Sequence, residues 1–154
     1  MLAEQKIFDK LKLQESLVKN FQEVVHHLKD ELEVNKSMSD LEEGDTLGPE
    51  DYSKQNESND MIQILKNQLS KTLVEIDKLV RIDFTHKEKV GTGAVVKTEK
   101  FMFFIGVAIS PFAYEGNQIV GVSTDAPIYN SIRDKKVGDS YEFSGMKDTI
   151  IAIY

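Results

Sequence analysis

Two runs of apolar residues, each stepping alternately by three and four, constrain this chain more than any other feature. The first is Ile7, Leu11, Gln14, Val18, Phe21, Val25, Leu28 and Leu32, apolar at every position but Gln14. The second is Ile62, Leu65, Leu69, Thr72, Ile76 and Leu79. Such spacing keeps one stripe of a helix facing a neighbour, as in a coiled coil. No Gly or Pro interrupts residues 1–43. The short stretch between the runs cannot carry the second helix away from the first, so the pair is expected to fold back antiparallel. Each arm of roughly 30 residues would be about 45 Å long at 1.5 Å per residue.

The connection between the runs holds the chain's charge. Ser39 to Asp60 carries eight carboxylates (Asp40, Glu42, Glu43, Asp45, Glu50, Asp51, Glu57 and Asp60) against one cation, Lys54. That is a net of −7, equal to the formal charge of the whole chain. Gly44 suits the left-handed residue that ends the first helix, and Gly48-Pro49-Glu50-Asp51 reads as the start of the second, with Pro at its first position. Glu50 and Asp51 then have a structural explanation, since acids in a first helical turn are favoured by the macrodipole. Glu42 and Glu43 lie where the dipole opposes negative charge, unless Ser39-x-x-Glu42 caps a restarted helix. Asp45 suits an ordinary turn. Charge set against the local helix physics marks these residues as candidates for function.

After a charged connector, residues 81–88, the composition turns β-rich. Strands are expected over 90–96, 101–109, 118–122, 140–143 and 149–154, with turns at Thr98-Glu99-Lys100, Glu115-Gly116-Asn117 and Ser144-Gly145. Ser110-Pro111 is read as the stop of the second strand. Asp125-Ala126-Pro127 is read as the cap and first position of a short helix through Ile132. The expected fold class is α+β: an N-terminal antiparallel coiled coil over 1–80, a linker over 81–88, and a small antiparallel β domain over 89–154.

Other chemistry is sparse. The chain has no cysteine, which excludes disulfides and thiolate metal sites and is compatible with a reducing compartment. The N-terminus lacks a signal-peptide core, and no run approaches the roughly 20 apolar residues of a membrane span. His26 and His27 stand about 100° apart on a helix and cannot share one ion. Gly91-Thr92-Gly93 lacks the third glycine and the helix of a dinucleotide loop. No P-loop, Gly-x-Ser-x-Gly elbow or His-Glu-x-x-His is present. The acidic balance argues against broad nucleic-acid binding, which depends on Lys and Arg neutralising phosphates.

The segment Asp125-Ala-Pro-Ile-Tyr-Asn-Ser-Ile-Arg-Asp-Lys-Lys-Val-Gly-Asp139 resembles a run in the bacterial Gre transcript-cleavage factors, GreA and GreB among them. Val90 to Val96 is similar to the first strand of that family's C-terminal domain, and Gly44-Asp45 with Tyr52 keeps the spacing of its tip motif. The resemblance implies an FKBP-like C-terminal domain and, as partner, RNA polymerase, whose secondary channel the coiled coil enters. It further implies an accessory factor rather than an enzyme, with no cofactor of its own and a Mg²⁺ shared with the polymerase. Asp45 is the implied metal-side carboxylate, with Glu42, Glu43 and Glu50 as further tip carboxylates. Pro127, Ile128, Ser110 and Phe112 are the implied partner-binding residues. Nascent RNA is met only indirectly, no membrane is involved, and the expected protein is a monomer of the bacterial cytoplasm. The family's tip glutamate and asparagine fall at Gly48 and Pro49, and its acidic rim-contacting stretch at Ser110-Pro111-Phe112-Ala113. A channel-binding regulator without cleavage activity is therefore the alternative, and an FKBP-like peptidyl-prolyl isomerase a further one.

Overall fold

A computed structural model describes the backbone of residues 8–40 and 49–154, and the side chains of 8–38 and 56–154. Two long helices, α1 (Lys10–Asp40) and α2 (Pro49–Arg81), precede six strands and one short helix. The strands are β1 (Val95–Thr98), β2 (Met102–Gly106), β3 (Ile109–Tyr114), β4 (Asn117–Ser123), β5 (Ser140–Phe143) and β6 (Met146–Ile153), with α3 (Pro127–Ile132) between β4 and β5. The α+β class expected from the sequence is what the chain adopts. Its contacts divide into two units, one holding the residues through Leu17 with Lys78–Tyr154, the other Val18–Asp77.

In the unit Val18–Asp77, the apolar stripe does what its spacing requires. Leu28, Leu32 and Leu65 form a buried cluster, with Ile62 and Leu69 packed against it. Val25 is also buried, while Val18, Phe21, Thr72 and Ile76 are half-buried. Thr72 tolerates its place by bonding its hydroxyl to the Gln68 carbonyl one turn back, at 2.8 Å.

In the other unit the stripe departs from expectation. Leu11 is 66% exposed, whereas Leu13 and Leu17, off the stripe, are fully buried. Ile7 lies outside the described residues. Lys10, on the same face as Leu13 and Leu17, donates from Nζ to the carbonyls of Thr85 (2.7 Å) and Tyr154 (3.0 Å). The first turns of α1 thus have a second neighbour in the β-rich part of the chain, and the buried face rotates towards it. Burial lowers the Lys10 pKa to about 8, with Lys87 adding to the effect and Asp83 opposing it. Gln14 keeps contact with α2 through a bond from Nε2 to the Leu79 carbonyl, 3.0 Å.

The segment read as a linker has local structure. Asp83 accepts from the Thr85 backbone N–H (2.9 Å) and from Lys87 Nζ (3.2 Å), an Asx-type turn. Those bonds, Thr85 first, hold the Asp83 carboxyl at about 2. Phe84 is buried and stacks on Phe104 with ring centroids 5.3 Å apart.

The sheet runs β3-β4-β2-β1-β6-β5. Every neighbouring pair is antiparallel except β2 and β4, which are parallel. This corrects the purely antiparallel sheet expected from the sequence. The apolar run 101–109 is not one strand: β2 ends at Gly106 and β3 starts at Ile109 in the opposite sense, leaving room for β4 between them. Pro111 does not end a strand either. It lies within β3, an edge strand, where the register shifts between Ile109 and Phe112, and a missing N–H is tolerated there. A side chain at Gly121 would overlap the Val107 carbonyl and Ile109, so glycine permits this close crossing. The first strand begins at Val95, later than expected, because residues 91–94 form a turn.

Two faces of the sheet are buried. Val96, Phe103, Ile105, Val122, Tyr141, Ile150 and Ile153 form one core together with Ile132 of α3. On β2 the alternate residues Met102 and Phe104 are buried as well, and Phe104 meets Phe84. This matches the continuous apolar run of β2. α3 starts at Pro127 as expected, but its cap is Ala126 without a side-chain bond, not Asp125.

Gly93 has φ +89°, and a β-carbon there would overlap the Asp83 carbonyl oxygen. Backbone meets backbone at this point, so neither side can yield cheaply. Gly93→Ala is expected to destabilise the β-rich unit by at least about 2 kcal/mol, adding left-handed strain to the clash. A urea titration followed by far-UV circular dichroism checks this, and a midpoint equal to wild type would refute it.

Candidate functional site

Of the eight carboxylates singled out by charge, Asp40 ends α1, Glu42, Glu43 and Asp45 fall between the helices, and Glu50, Asp51, Glu57 and Asp60 belong to α2. α1 ends at Asp40 and α2 begins at Pro49. Glu42, Glu43 and Asp45 fall outside the described residues. Glu50 is the second residue of α2, and its side chain also lies outside them. Pro49 opens α2 as the sequence expects, its fixed φ and absent N–H suiting a first helical position.

Among the described residues, no group of three or more His, Cys, Asp or Glu could hold a metal ion. His26 Nε2 pairs with Asp30 (3.5 Å) and His27 Nε2 with Glu31 (3.0 Å), each one helical turn ahead and exposed. The two imidazoles engage separate acids, in keeping with their divergence on the helix. The donor chemistry in the connection suits a hard cation: Mg²⁺ takes oxygen ligands, retains several waters, and needs only one or two carboxylates from a protein.

The residues implied for partner binding occupy two elements. Pro127 is exposed at the start of α3, and Ile128 is half-buried against the sheet core. Ser110 is exposed and Phe112 half-buried on the edge strand β3, where Phe112 pairs with Ile119. α3 packs against β4 and β5. Ile128 therefore serves the core as well as any partner, whereas Pro127 and Ser110 are free of it.

Sequence reasoning missed a buried polar cluster beneath β1, β5 and β6. Asp148, 3% exposed, accepts from the hydroxyls of Thr98 (2.5 Å) and Tyr141 (2.9 Å) through Oδ2, and from the Thr149 N–H through Oδ1 (2.9 Å). Burial alone would raise the Asp148 pKa, but these bonds prevail and hold it below the ordinary value. Burial, and then Asp148, push Tyr141 up to about 12. Thr98 and Asp148 are 50 residues apart, and nothing in their local sequence pairs them. All three side chains are satisfied by one another, as a structural network requires.

A cleft of about 950 Å³ is bordered by Phe8, Lys10, Phe84, Val137, Ile151 and Tyr154, among others. Its aromatic rings are engaged in packing: Phe8 stacks on Tyr154 at 5.1 Å and Phe84 on Phe104.

No helix among the described residues is long and apolar enough to cross a membrane. No protein-family model matches the chain, and no curated protein matches it. Solved structures similar to it include two of GreA factor homologs. GreA factor homolog 1 (Gfh1) of Thermus thermophilus is 13% identical, with 89% of this chain and 94% of that one covered at a TM-score of 0.34. Thermus aquaticus Gfh1 is 16% identical, with 88% and 92% covered at a TM-score of 0.32.

Proposed function

We propose that this chain is a Gre-type accessory factor of bacterial RNA polymerase, with α1 and α2 entering the secondary channel and the β-rich part holding its rim. The observation that carries this reading is a pair of long packed helices, followed by a small sheet domain, with the chain's net charge concentrated in residues 39–60, the connection and the helix ends that adjoin it. In support, α3 forms within the segment, Asp125 to Asp139, that resembles the family. A factor of this kind needs no pocket of its own, because it supplies ligands to a site the polymerase already holds. Asp45 is the leading carboxylate for that role, with Glu42, Glu43 and Glu50 in support. A Mg²⁺ bound between them and the polymerase would activate water and stabilise the charge that develops during phosphodiester cleavage.

Backtracked polymerase carrying end-labelled RNA tests the reading. Added protein is expected to shorten the RNA, and Asp45→Asn to reduce that rate by about 10²-fold or more, the scale of losing a transition-state contact. No binding to the polymerase would refute the proposal. Binding without shortening would select the second reading, a channel-occupying regulator without cleavage activity. One observation favours that alternative: the family's asparagine position is Pro49, which opens α2 and has neither an amide side chain nor an N–H.

A further inference from the structure

The two sides of the helix pair in Val18–Asp77 differ in chemistry. The seam residues Val25, Leu28 and Leu32 on α1, and Ile62, Leu65 and Leu69 on α2, fix which way each helix faces. Residues one position before a seam residue flank it on one side, and those one position after flank it on the other. Reversing one helix brings the "before" flanks of both onto the same side of the pair. The groove shared by Val24, His27, Leu28, Glu31 and Gln68 records this pairing.

On that side stand Val24, Val34 and Met38 from α1 and Met61 and Ile64 from α2, each between 44% and 57% exposed. From Val24 to Met38 the stripe extends about 21 Å at 1.5 Å per residue. The opposite side presents Gln22, His26, Lys29, Glu33, Lys36, Gln63 and Lys66, all exposed, and one large apolar residue, Leu73, which follows the seam position Thr72. Isolated exposed apolar residues are ordinary, but five on one side of a helix pair against one on the other mark an interaction surface. The acids within the apolar side over 24–38 and 57–68 are Glu31, which His27 of the same side engages, and Glu57, both exposed, with no lysine or arginine.

We propose that this side of the helix pair is a docking surface for a helix of a partner protein that presents apolar side chains flanked by Lys or Arg. It rests on the reading above, which makes RNA polymerase that partner. The carboxylate of Glu57, and the oxygen of Glu31 that His27 does not engage, meet the partner's cations, while Met38 and Met61 adapt their unbranched side chains to its apolar residues. A second copy of this chain fits less well, since its matching surface would bring Glu31 and Glu57 near carboxylates of the same kind.

The test uses the full chain and two pairs of exposed substitutions, Val34→Lys with Ile64→Lys and Lys29→Ser with Lys66→Ser, each verified by thermal melting. Competition against labelled wild type for bacterial core RNA polymerase is the readout. The first pair is expected to weaken binding by about tenfold or more, and the second by less than about twofold, since truncating central anchors matters most. Val34→Ser with Ile64→Ser adds no charge; it is expected to weaken binding by about threefold, and it replaces the lysine pair if that melts early. Unchanged competition by the apolar-side variants, or equal weakening by both sides, overturns the docking surface and leaves the polymerase reading standing. Wild type that fails to bind polymerase overturns both. Sedimentation showing self-association that the apolar-side variants abolish overturns the proposal in favour of a second copy.

Discussion

Phe104→Ala is expected to lower the stability of the β-rich unit by roughly 3–5 kcal/mol, the usual range for removing a buried phenylalanine ring. Phe104 is fully buried in β2, and its ring stacks on Phe84 at 15° between planes. Truncation removes the transfer free energy of the ring and leaves a cavity beside Phe84. Phe84 follows α2 directly and cannot move into the gap without disturbing the Asp83 turn, whose bonds to Thr85 and Lys87 hold the adjoining backbone. Collapse of the cavity should therefore be incomplete, which places the loss towards the upper part of that range. Phe104→Leu keeps most of the volume and is expected to cost less than half as much. Urea denaturation of the three proteins, followed by circular dichroism, separates these outcomes. Similar midpoints for the alanine and leucine variants would show that the ring is not the anchor described.

Asp148→Ala is expected to cost about 2–3 kcal/mol, because it orphans the buried Tyr141 hydroxyl and leaves Thr98 only its longer bond to the Phe101 carbonyl (3.2 Å), and a buried unsatisfied donor costs roughly 1–3 kcal/mol. Asp148→Asn keeps an acceptor for those hydroxyls but turns an NH₂ group towards the Thr149 N–H, so a smaller loss is expected. The same cluster sets a pH dependence. The folded pKa of Asp148 is depressed, so its contribution is present above the unfolded value of about 3.9 and is lost as pH falls through the lower folded value. Tyr141 acts in the opposite direction, because its folded pKa is raised. Its contribution is complete below its ordinary value of 10.0 and is lost as pH rises through about 12. Stability measured against pH should show both declines in wild type, with the acid one reduced in Asp148→Asn and the alkaline one in Tyr141→Phe. Persistence of both declines in both variants would remove the cluster as their cause.

Much of the fold was legible because its signals are local. Alternating steps of three and four identify a helix facing one neighbour, and Pro49 and Pro127 mark helix starts through their own backbone geometry. The two-residue turns Glu115-Gly116 and Ser144-Gly145 close their hairpins with positive φ at all four residues. The limits fell where a residue's environment is set by distant chain. Leu11 and Leu13 exchange roles because the base of α1 has a second neighbour that helical periodicity does not encode. The strand pairing of β2 with β4 needs β3 displaced to the edge, and no property of residues 101–109 announces that.

The candidate site divides in the same way. Its charge was countable from the sequence, and Glu50 could be assigned a helical position from Pro49 alone. The helix dipole gave a reason to prefer Glu42 and Glu43, since helix physics accounts for acids in a first turn but not in a last one, while Asp45 stood out through the resemblance of Gly44-Asp45 and Tyr52 to the tip motif. The two-sided chemistry of the helix pair was not visible in the same reading. It emerges only once the buried seam shows which flank of α1 shares a side with which flank of α2.

By itself the sequence determined the two-helix pair, the place of its charge, and the class of the fold, because each follows from spacing and composition within a few turns of chain. Tertiary structure alone decided the parallel pairing in the sheet, the rotated face of α1 at Lys10, and the burial of Thr98, Tyr141 and Asp148 around one carboxylate. Each of these depends on which distant residues exclude water from a side chain, and packing settles that only when the whole chain closes.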